Sequence, residues 1–210
     1  MPPQPNPEPT IRRATDADHD AFYTVCLQTG AAGADASDHF DDPLLLGSVY
    51  VGPYLHVDGG FGWAVEDSGG VGGYLLATAD TAAFGDACET TWWPPLRAVH
   101  GDPGPAPTTP DAELRALIHR PPAVPVAIVE RYPAHLHIDL LPRFQSRGVG
   151  RRLIELAVDE LGRRGATGVH LGADPTNSPA LGFYHHLGFD DLGVVDDTHY
   201  CGLSIQSSRT

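Results

Sequence analysis

Cysteine is scarce in this chain, positive charge is outnumbered, and no apolar run is long. The three cysteines, Cys26, Cys88 and Cys201, are dispersed and follow no disulfide or zinc-ribbon spacing. That excludes a cysteine-stapled secreted scaffold and fits a reducing cytoplasm. No stretch approaches the roughly 20 apolar residues of a membrane-spanning helix. Basic residues number 13 against 27 acidic ones, a net charge of -14, so nucleic acid and anionic membrane are disfavoured as partners, whereas a neutral or cationic small partner is not. Residues 1–9 are proline-rich and lack the basic start and apolar centre of a secretory signal, so they read as a flexible tail. There is no internal repeat. Monomer and homodimer both remain open, since edge strands cannot be counted from a sequence.

What is present suits one soluble globule over residues 10–206, with 41% apolar content in 210 residues. The most informative stretch is Arg143-Phe144-Gln145-Ser146-Arg147-Gly148-Val149-Gly150-Arg151-Arg152. Upstream, Ala134, Leu136, Ile138 and Leu140 alternate with His135, His137, Asp139 and Leu141, the period-2 pattern of a strand, and Pro142 ends it. Downstream, Val149, Leu153, Ile154, Ala157, Val158 and Leu161 recur at helical spacing. A helix therefore begins near Gly148. Its first N–H groups have no intrahelical partner and its dipole is positive there, so the junction suits a phosphate. A nucleoside-triphosphate loop is excluded because no Gly-Lys-Ser/Thr follows, and a dinucleotide fingerprint is excluded because Leu153 stands where its third glycine belongs.

A second unit follows. Gly168-Val169-His170-Leu171-Gly172-Ala173 reads as a short strand, and a short helix follows with Ser178 as N-cap, Pro179 at its first position and Gly188 as a left-handed terminator. The order Gln145-x-x-Gly148-x-Gly150, then Asn177, Ala180, Tyr184, Gly188 and Phe189, resembles the GNAT superfamily of N-acetyltransferases. The runs Val49-Tyr50-Val51-Gly52-Pro53-Tyr54, Trp92-Trp93-Pro94-Pro95-Leu96-Arg97 and Tyr132-Pro133-Ala134-His135-Leu136-His137 resemble a narrower group, bacterial acetyltransferases similar to the C-terminal acetyltransferase-like domain of O-GlcNAcase.

The resemblance implies an α/β (α+β) fold with a mixed, mostly antiparallel sheet of about six to seven strands flanked by helices. It also implies acetyl-CoA as acyl donor and an unidentified primary amine, in a small molecule or a peptide, as acceptor. Gln145, Ser146, Arg147, Gly148, Val149, Gly150 and Arg151 would hold the pyrophosphate, with Asn177, Ala180 and Tyr184 beside it and the backbone of Leu140 and Leu141 along the pantetheine arm. Tyr184 matches the family tyrosine that protonates the departing thiolate. Asp139 and His137, on one strand face, are the candidate bases, and Asp139 reads equally as a structural carboxylate. A coenzyme-binding module without transferase activity is the alternative from another class.

The front half carries weaker signals. Ile11-Arg12-Arg13-Ala14 reads as a strand. Thr15 with Asp18 reads as a capping box before a helix with stripe Phe22, Val25, Cys26 and Thr29, closed by Gly30. Phe61, Trp63 and Val65, the turn Asp67-Ser68-Gly69-Gly70 and the run 71–77 read as a hairpin. Residues 35–54 read as a short helix plus loop. Residues 81–122 read as an insertion: a helix up to Trp92-Trp93-Pro94-Pro95, an irregular 101–107 and a short helix over 111–118. Residues 126–131 read as a central strand. The tryptophans cover the core or line a groove. His135, His137 and Asp139 share a strand face, but His185 and His186 diverge on a helix and no Cys or Glu cluster sits near either pair, so no metal is expected.

Overall fold

The computed structural model describes residues 8–206, so all but the end of the proline-rich segment 1–9 lies outside the described residues. In chain order the elements are β1 (Thr10–Arg13), α1 (His19–Thr29), α2 (Leu45–Tyr50), α3 (Gly52–His56), β2 (Gly60–Asp67), β3 (Gly70–Thr78), α4 (Thr81–Thr91), α5 (Trp93–Val99), α6 (Pro110–His119) and α7 (Val126–Arg131). There follow β4 (Ala134–Leu140), α8 (Val149–Arg163), β5 (Gly168–Ala173), α9 (Ser178–His186), β6 (Asp190–Val195) and β7 (Thr198–Ser204). The strands form a seven-stranded sheet in the order β1-β2-β3-β4-β5-β7-β6. Neighbours are antiparallel except β4 and β5. This is the mixed, mostly antiparallel α/β arrangement that the motifs imply.

Alternation along the central strands feeds two cores. Trp63, Val65, Leu75, Ala77, Ala134 and Leu136 pack under the stripe of α8, formed by Val149, Leu153, Ile154, Ala157 and Leu161, and meet Tyr184 and Phe189 at the α9 end. The intervening residues Ala64, Tyr74 and Leu76 pack against Phe22, Val25 and Cys26 of α1, Leu45 and Leu46 of α2, Tyr54 of α3, and Phe84, Trp93, Leu114 and Ile118 beyond them. Successive residues of a strand point to opposite sides, so each strand contributes to both layers.

Local chemistry explains most element boundaries. The Asp18 carboxylate accepts the Thr15 N–H at 2.8 Å and holds the Arg12 guanidinium through two bonds of 2.8 and 2.6 Å, which fixes the turn into α1 against β1. Asp80 caps α4 by accepting the Ala83 N–H at 3.0 Å, and Thr109 caps α6 through Ala112 N–H at 3.2 Å. The stretch 35–54 holds a 3-10 turn, Ser37–His39, and the two short helices α2 and α3 extend through and just past it. The Trp92-Trp93-Pro94-Pro95 run lies across a helix junction. Pro94 and Pro95 open α5, where first-turn N–H groups would lack partners anyway.

Two expectations need correction. Residues 126–131 form α7, not a strand, and Ile128 is the one buried side chain of the segment. A four-residue apolar run does not distinguish the two by periodicity. In the sheet, β3 pairs with β4 from Thr78↔His135 to Gly73↔Leu140 and β5 takes the start of its other side, so the strand beside β4 is β5 and not residues 126–131. The cap of α9 is Asn177, whose Oδ1 accepts the Ala180 N–H at 3.2 Å, one residue before Ser178. Gly188, at φ 89°, ends that helix in the left-handed region as anticipated.

Leu153 is fully buried where α8 meets the sheet. Leu153→Ala should lower unfolding stability by about 2–5 kcal/mol through the lost contacts and the cavity left behind. Urea unfolding checks this, and a loss below ~1 kcal/mol would mean that α8 is less firmly seated than its packing indicates.

Candidate active site

The parallel pairing of β4 and β5 covers just Ala134↔Val169 and His135↔His170. Beyond that point β4 stays with β3 as far as Gly73↔Leu140, and β5 stays with β7 as far as Ala173↔His199. The two strands therefore diverge and leave a split in the middle of the sheet. Leu141 N–H donates to the Gly72 carbonyl at 2.9 Å. Alternation of the antiparallel ladder then turns the main-chain groups of Asp139 and His137 toward β3 and those of Ile138 and Leu140 into the split. The Leu140 carbonyl accepts Gln145 Nε2 at 2.8 Å. Of the two backbone positions singled out from sequence, Leu140 faces the split, while Leu141 has its N–H on Gly72 and its carbonyl on the Phe144 N–H at 2.9 Å.

At one end of the split stands the start of α8. Gly148 caps it at φ 74°, in the left-handed region that glycine enters without steric cost. Val149 is buried beneath it and anchors the turn. The N–H groups of Val149, Gly150 and Arg151 precede the first intrahelical bond, which runs from Arg152 N–H to the Gly148 carbonyl at 3.1 Å. A Cβ on Gly150 would lie 2.9 Å from Phe183 and 3.7 Å from Leu140. The absent side chain lets the Phe183 ring of α9 pack directly against the first turn of α8. Gln145, Ser146, Arg147, Arg151 and Arg152 are exposed around it. Arg147 Nη1 donates to the Arg143 carbonyl at 3.2 Å, and Arg151 lies 4.0 Å from Glu155. On the facing helix, Asn177 caps α9 and Ala180 and Phe183 are half-buried.

At the other end, on the opposite face of β4, lies a cavity of about 890 Å³. Leu136 and His137 of β4 and Leu171, Gly172 and Ala173 of β5 line it, so it opens onto the split just where strand pairing stops. Tyr50, Tyr54, Phe84 and Trp93 supply aromatic walls, with Glu130, Asp174 and Asp197 among the other lining residues. Both tryptophan expectations hold for Trp93, which is buried and lines the groove; Trp92 packs half-buried against the core, stacks on His56 and donates to the Ser48 carbonyl at 2.9 Å.

Comparison with known proteins gives these features a context. The structure of SsHAT superposes with a TM-score of 0.88 at 37% identity, over 95% of this chain and 100% of that one. The sequence profile of the Acetyltransferase (GNAT) family matches residues 117–189, the span from the end of α6 to the end of the Tyr184 motif. The chain belongs to the GNAT acetyltransferase family. Protein O-GlcNAcase of Rattus norvegicus is 23% identical over 189 residues, 89% of this chain and 20% of that protein, so the chain spans about a fifth of that relative's length. The structure of yncA from Salmonella typhimurium with its cofactor acetyl-CoA shares the fold, with a TM-score of 0.52 at 18% identity over 97% of this chain and 98% of that one.

In this GNAT chain the histidine face of β4 is held neutral. Thr81 Oγ1 donates to the Pro133 carbonyl at 2.7 Å, so its contact of 2.8 Å with His135 Nδ1 has the imidazole as donor. His135 Nε2 then accepts the Tyr54 hydroxyl at 2.5 Å. Burial, reinforced by His137 and His170, pushes His135 well below the usual imidazole range. Burial and the nearby His170 lower His137 to about 4. His170 donates Nδ1–H to the Tyr132 carbonyl at 2.7 Å and is lowered by burial as well. His137 has no hydrogen-bond partner among the described residues; it packs edge-on against Tyr54, 5.4 Å between ring centroids, and lines the cavity.

Asp139 sits further along the same face, outside the cavity lining. Its carboxylate accepts the Tyr74 hydroxyl at 2.5 Å, and burial raises its pKa despite that bond. Tyr184 lies in the opposite core, between the rings of Phe183 and Phe189. Burial raises its pKa, and the negative charge of Asp139 adds to the rise. The split is thus flanked by His137 and Asp139 on one face and Tyr184 on the other. Sequence reading missed Thr81, Tyr74 and His170, which meet the β4 histidines or Asp139 from other strands and helices. Tyr50 and Tyr54, from the stretch read as a short helix plus loop, line the cavity. Among the described residues, no group of three or more His, Cys, Asp or Glu side chains is arranged to hold a metal ion.

Neutral histidines in the fold make stability pH-dependent. The unfolded chain takes protons near the ordinary imidazole pKa of 6.5, while folded His137 resists them until about 4. Stability is therefore full above pH 6.5 and declines as pH falls toward 4. The raised Asp139 acts in the opposite sense, gaining its proton in the fold at higher pH than in the unfolded chain. Urea unfolding at stepped pH should show a decline for the wild type that is shallower by roughly 2–3 kcal/mol in His137→Gln. Parallel curves for the two proteins would show that His137 is not buried neutral.

Proposed function

We propose that the protein is an acetyl-CoA-dependent N-acetyltransferase, passing an acetyl group to a primary amine by direct attack within a ternary complex. One observation carries the reading: the split between β4 and β5 has an anion-binding helix start at one end and a large cavity opening onto it from the other face. The residues fit the coenzyme. The pyrophosphate would meet the first N–H groups of α8 across Gly148 and Gly150, with Ser146, Arg147 and Arg151 around it. The pantetheine arm, with its amides, would pair with the main chain of Ile138 and Leu140. Asn177 and Ala180 would border the arm from α9. Three buried free cysteines suit such an enzyme to a reducing cytoplasm.

The chemistry then follows from the two faces. The amine nitrogen attacks the thioester carbonyl carbon, a C–N bond forms, the C–S bond breaks, and the ammonium proton must leave. His137 is the proposed acceptor of the proton that the nitrogen sheds as the C–N bond forms, because it lines the cavity and its ring has no other hydrogen-bond partner among the described residues; lowered to about 4, it is too weak a base for the resting ammonium, so the amine attacks in its neutral form. Asp139 braces β4 by accepting the Tyr74 hydroxyl. Tyr184 donates to the departing thiolate. Its raised pKa means that the hydroxyl stays protonated through the neutral range, so it acts first as a hydrogen-bond donor to the developing charge.

Free thiol released from acetyl-CoA across a panel of amines tests the reading. The chain contains no lysine, so self-acetylation of lysine contributes no background. Release with no amine in the panel, alongside tight acetyl-CoA binding, would favour a coenzyme-binding module without transfer. Tyr184→Phe should lower kcat by roughly 10²-fold with little change in acetyl-CoA affinity, since the ring stays and the donor is lost; unchanged turnover would leave Tyr184 as packing. Arg151→Glu places like charge beside the pyrophosphate on an exposed position and should weaken acetyl-CoA binding at least ~10-fold by calorimetry at low salt, with the melting temperature kept. Unaltered affinity would put the coenzyme elsewhere.

A further inference from the structure

The cavity on the histidine face has a chemical character that restricts what can enter it. Its walls are aromatic and apolar: Tyr54 and Phe84 pack with ring centroids 4.9 Å apart, and Tyr50 and Trp93 also line it. All the charge among its lining residues is negative, from the exposed side chains of Glu130, Asp174 and Asp197, and no arginine lines it. Asp174 is held ionised by Thr176, whose hydroxyl and N–H donate to it at 2.6 and 2.7 Å. Toward the split the polar groups are the uncharged imidazoles of His135, His137 and His170, and His137 has no hydrogen-bond partner among the described residues.

Resting on the acetyltransferase reading, we infer that the acceptor is an amine that is cationic in solution and borne on a flat, apolar body, of the arylalkylamine type, without a carboxylate of its own. Carboxylates at the mouth draw in an ammonium group and oppose an acid-bearing amine. Aromatic walls take a planar body at little entropic cost and attract a cation over their faces. A volume near 890 Å³ is within the range of small-molecule sites and exceeds what a bare alkylamine would fill. The imidazoles inside present no positive charge to repel the ammonium, and His137, which lines the cavity with no other hydrogen-bond partner among the described residues, offers a lone pair that accepts a hydrogen bond from it. An amino acid would bring its carboxylate among the three already present; an uncharged analogue would forgo their attraction.

Calorimetry with phenethylamine, 2-phenylethanol and phenylalanine, in the presence of coenzyme A, separates the contributions. Phenethylamine should bind, and the alcohol and the amino acid should each bind at least ~10-fold more weakly, with the difference from the alcohol shrinking in high salt. The double variant Glu130→Gln/Asp197→Asn, two exposed positions, should weaken phenethylamine ~3–10-fold and leave 2-phenylethanol unchanged. Equal binding of the three probes, or no binding of any at millimolar concentration, overturns the inference. Preferential binding of phenethylamine without thiol release supports this acceptor class and counts against the transferase reading. Thiol release that is as fast with acid-bearing amines supports the transferase reading and overturns the acceptor class.

Discussion

Parallel pairing between β4 and β5 ends after two residues, and the rest of the site depends on that divergence. A split inside a sheet leaves main-chain donors and acceptors without ladder partners, which is costly unless something else satisfies them. Each strand is fully committed on its outer edge instead. β4 is bonded to β3 over six residue pairs, from Gly73↔Leu140 to Thr78↔His135, and β5 to β7 over six, from Gly168↔Ser204 to Ala173↔His199. Two antiparallel ladders hold the gap open, so its geometry is set by the sheet and not by loops. Gln145 satisfies the Leu140 carbonyl, and a ligand carrying amides is the natural partner for the main-chain groups that remain.

Because β4 runs along the gap, its alternation divides the chemistry. Ala134 and Leu136 are buried beneath α8 and hold the helix whose N-terminus faces one end of the split. His135 and His137 face the cavity, and Asp139 follows them on the same side. Burial keeps the imidazoles uncharged and raises the carboxylate, and both shifts arise from one cause, the cost of placing charge in a poorly hydrated wall. The chain Tyr54 to His135 to Thr81 to Pro133 fixes one imidazole tautomer and ties α3 and α4 to β4. The cavity wall is thereby stiffened by the same groups that determine its proton chemistry.

Local signals were legible where a residue type carries a backbone requirement. Gly148 and Gly188 sit at positive φ where the helix boundaries were anticipated, and Thr15 with Asp18 closes the turn before α1. The α8 stripe was readable because fifteen residues sustain one period. Residues 126–131 were misread because a short apolar run fits a strand or a helix, and the segment folds as α7 with Ile128 as its one buried side chain. The N-cap of α9 fell one residue early because Asn177 and Ser178 are both good caps. The cavity was out of reach for another reason. Tyr54 meets His135 across 81 positions of sequence, Tyr74 meets Asp139 across 65, and Thr81 meets His135 across 54, so no window of periodicity contains these pairs.

The distribution of charge follows the same axis as the split. Four of the chain's 13 basic residues, Arg143, Arg147, Arg151 and Arg152, fall within ten positions around the start of α8, in a molecule of net charge -14. Arg143 is committed to the carbonyls of Gly70 and Val71, while Arg151 and Arg152 are exposed on the first turn. The cavity on the other face is lined with carboxylates and no arginine. On the proposed reading, a positive island in an acidic protein would attract an anionic donor to one end of the split, and the acidic lining of the cavity would attract a cationic acceptor to the other. Two reactants of opposite charge, arriving from opposite faces, would then meet in the gap without competing for one entrance. That arrangement suits direct attack within a ternary complex, since neither reactant has to leave before the other enters.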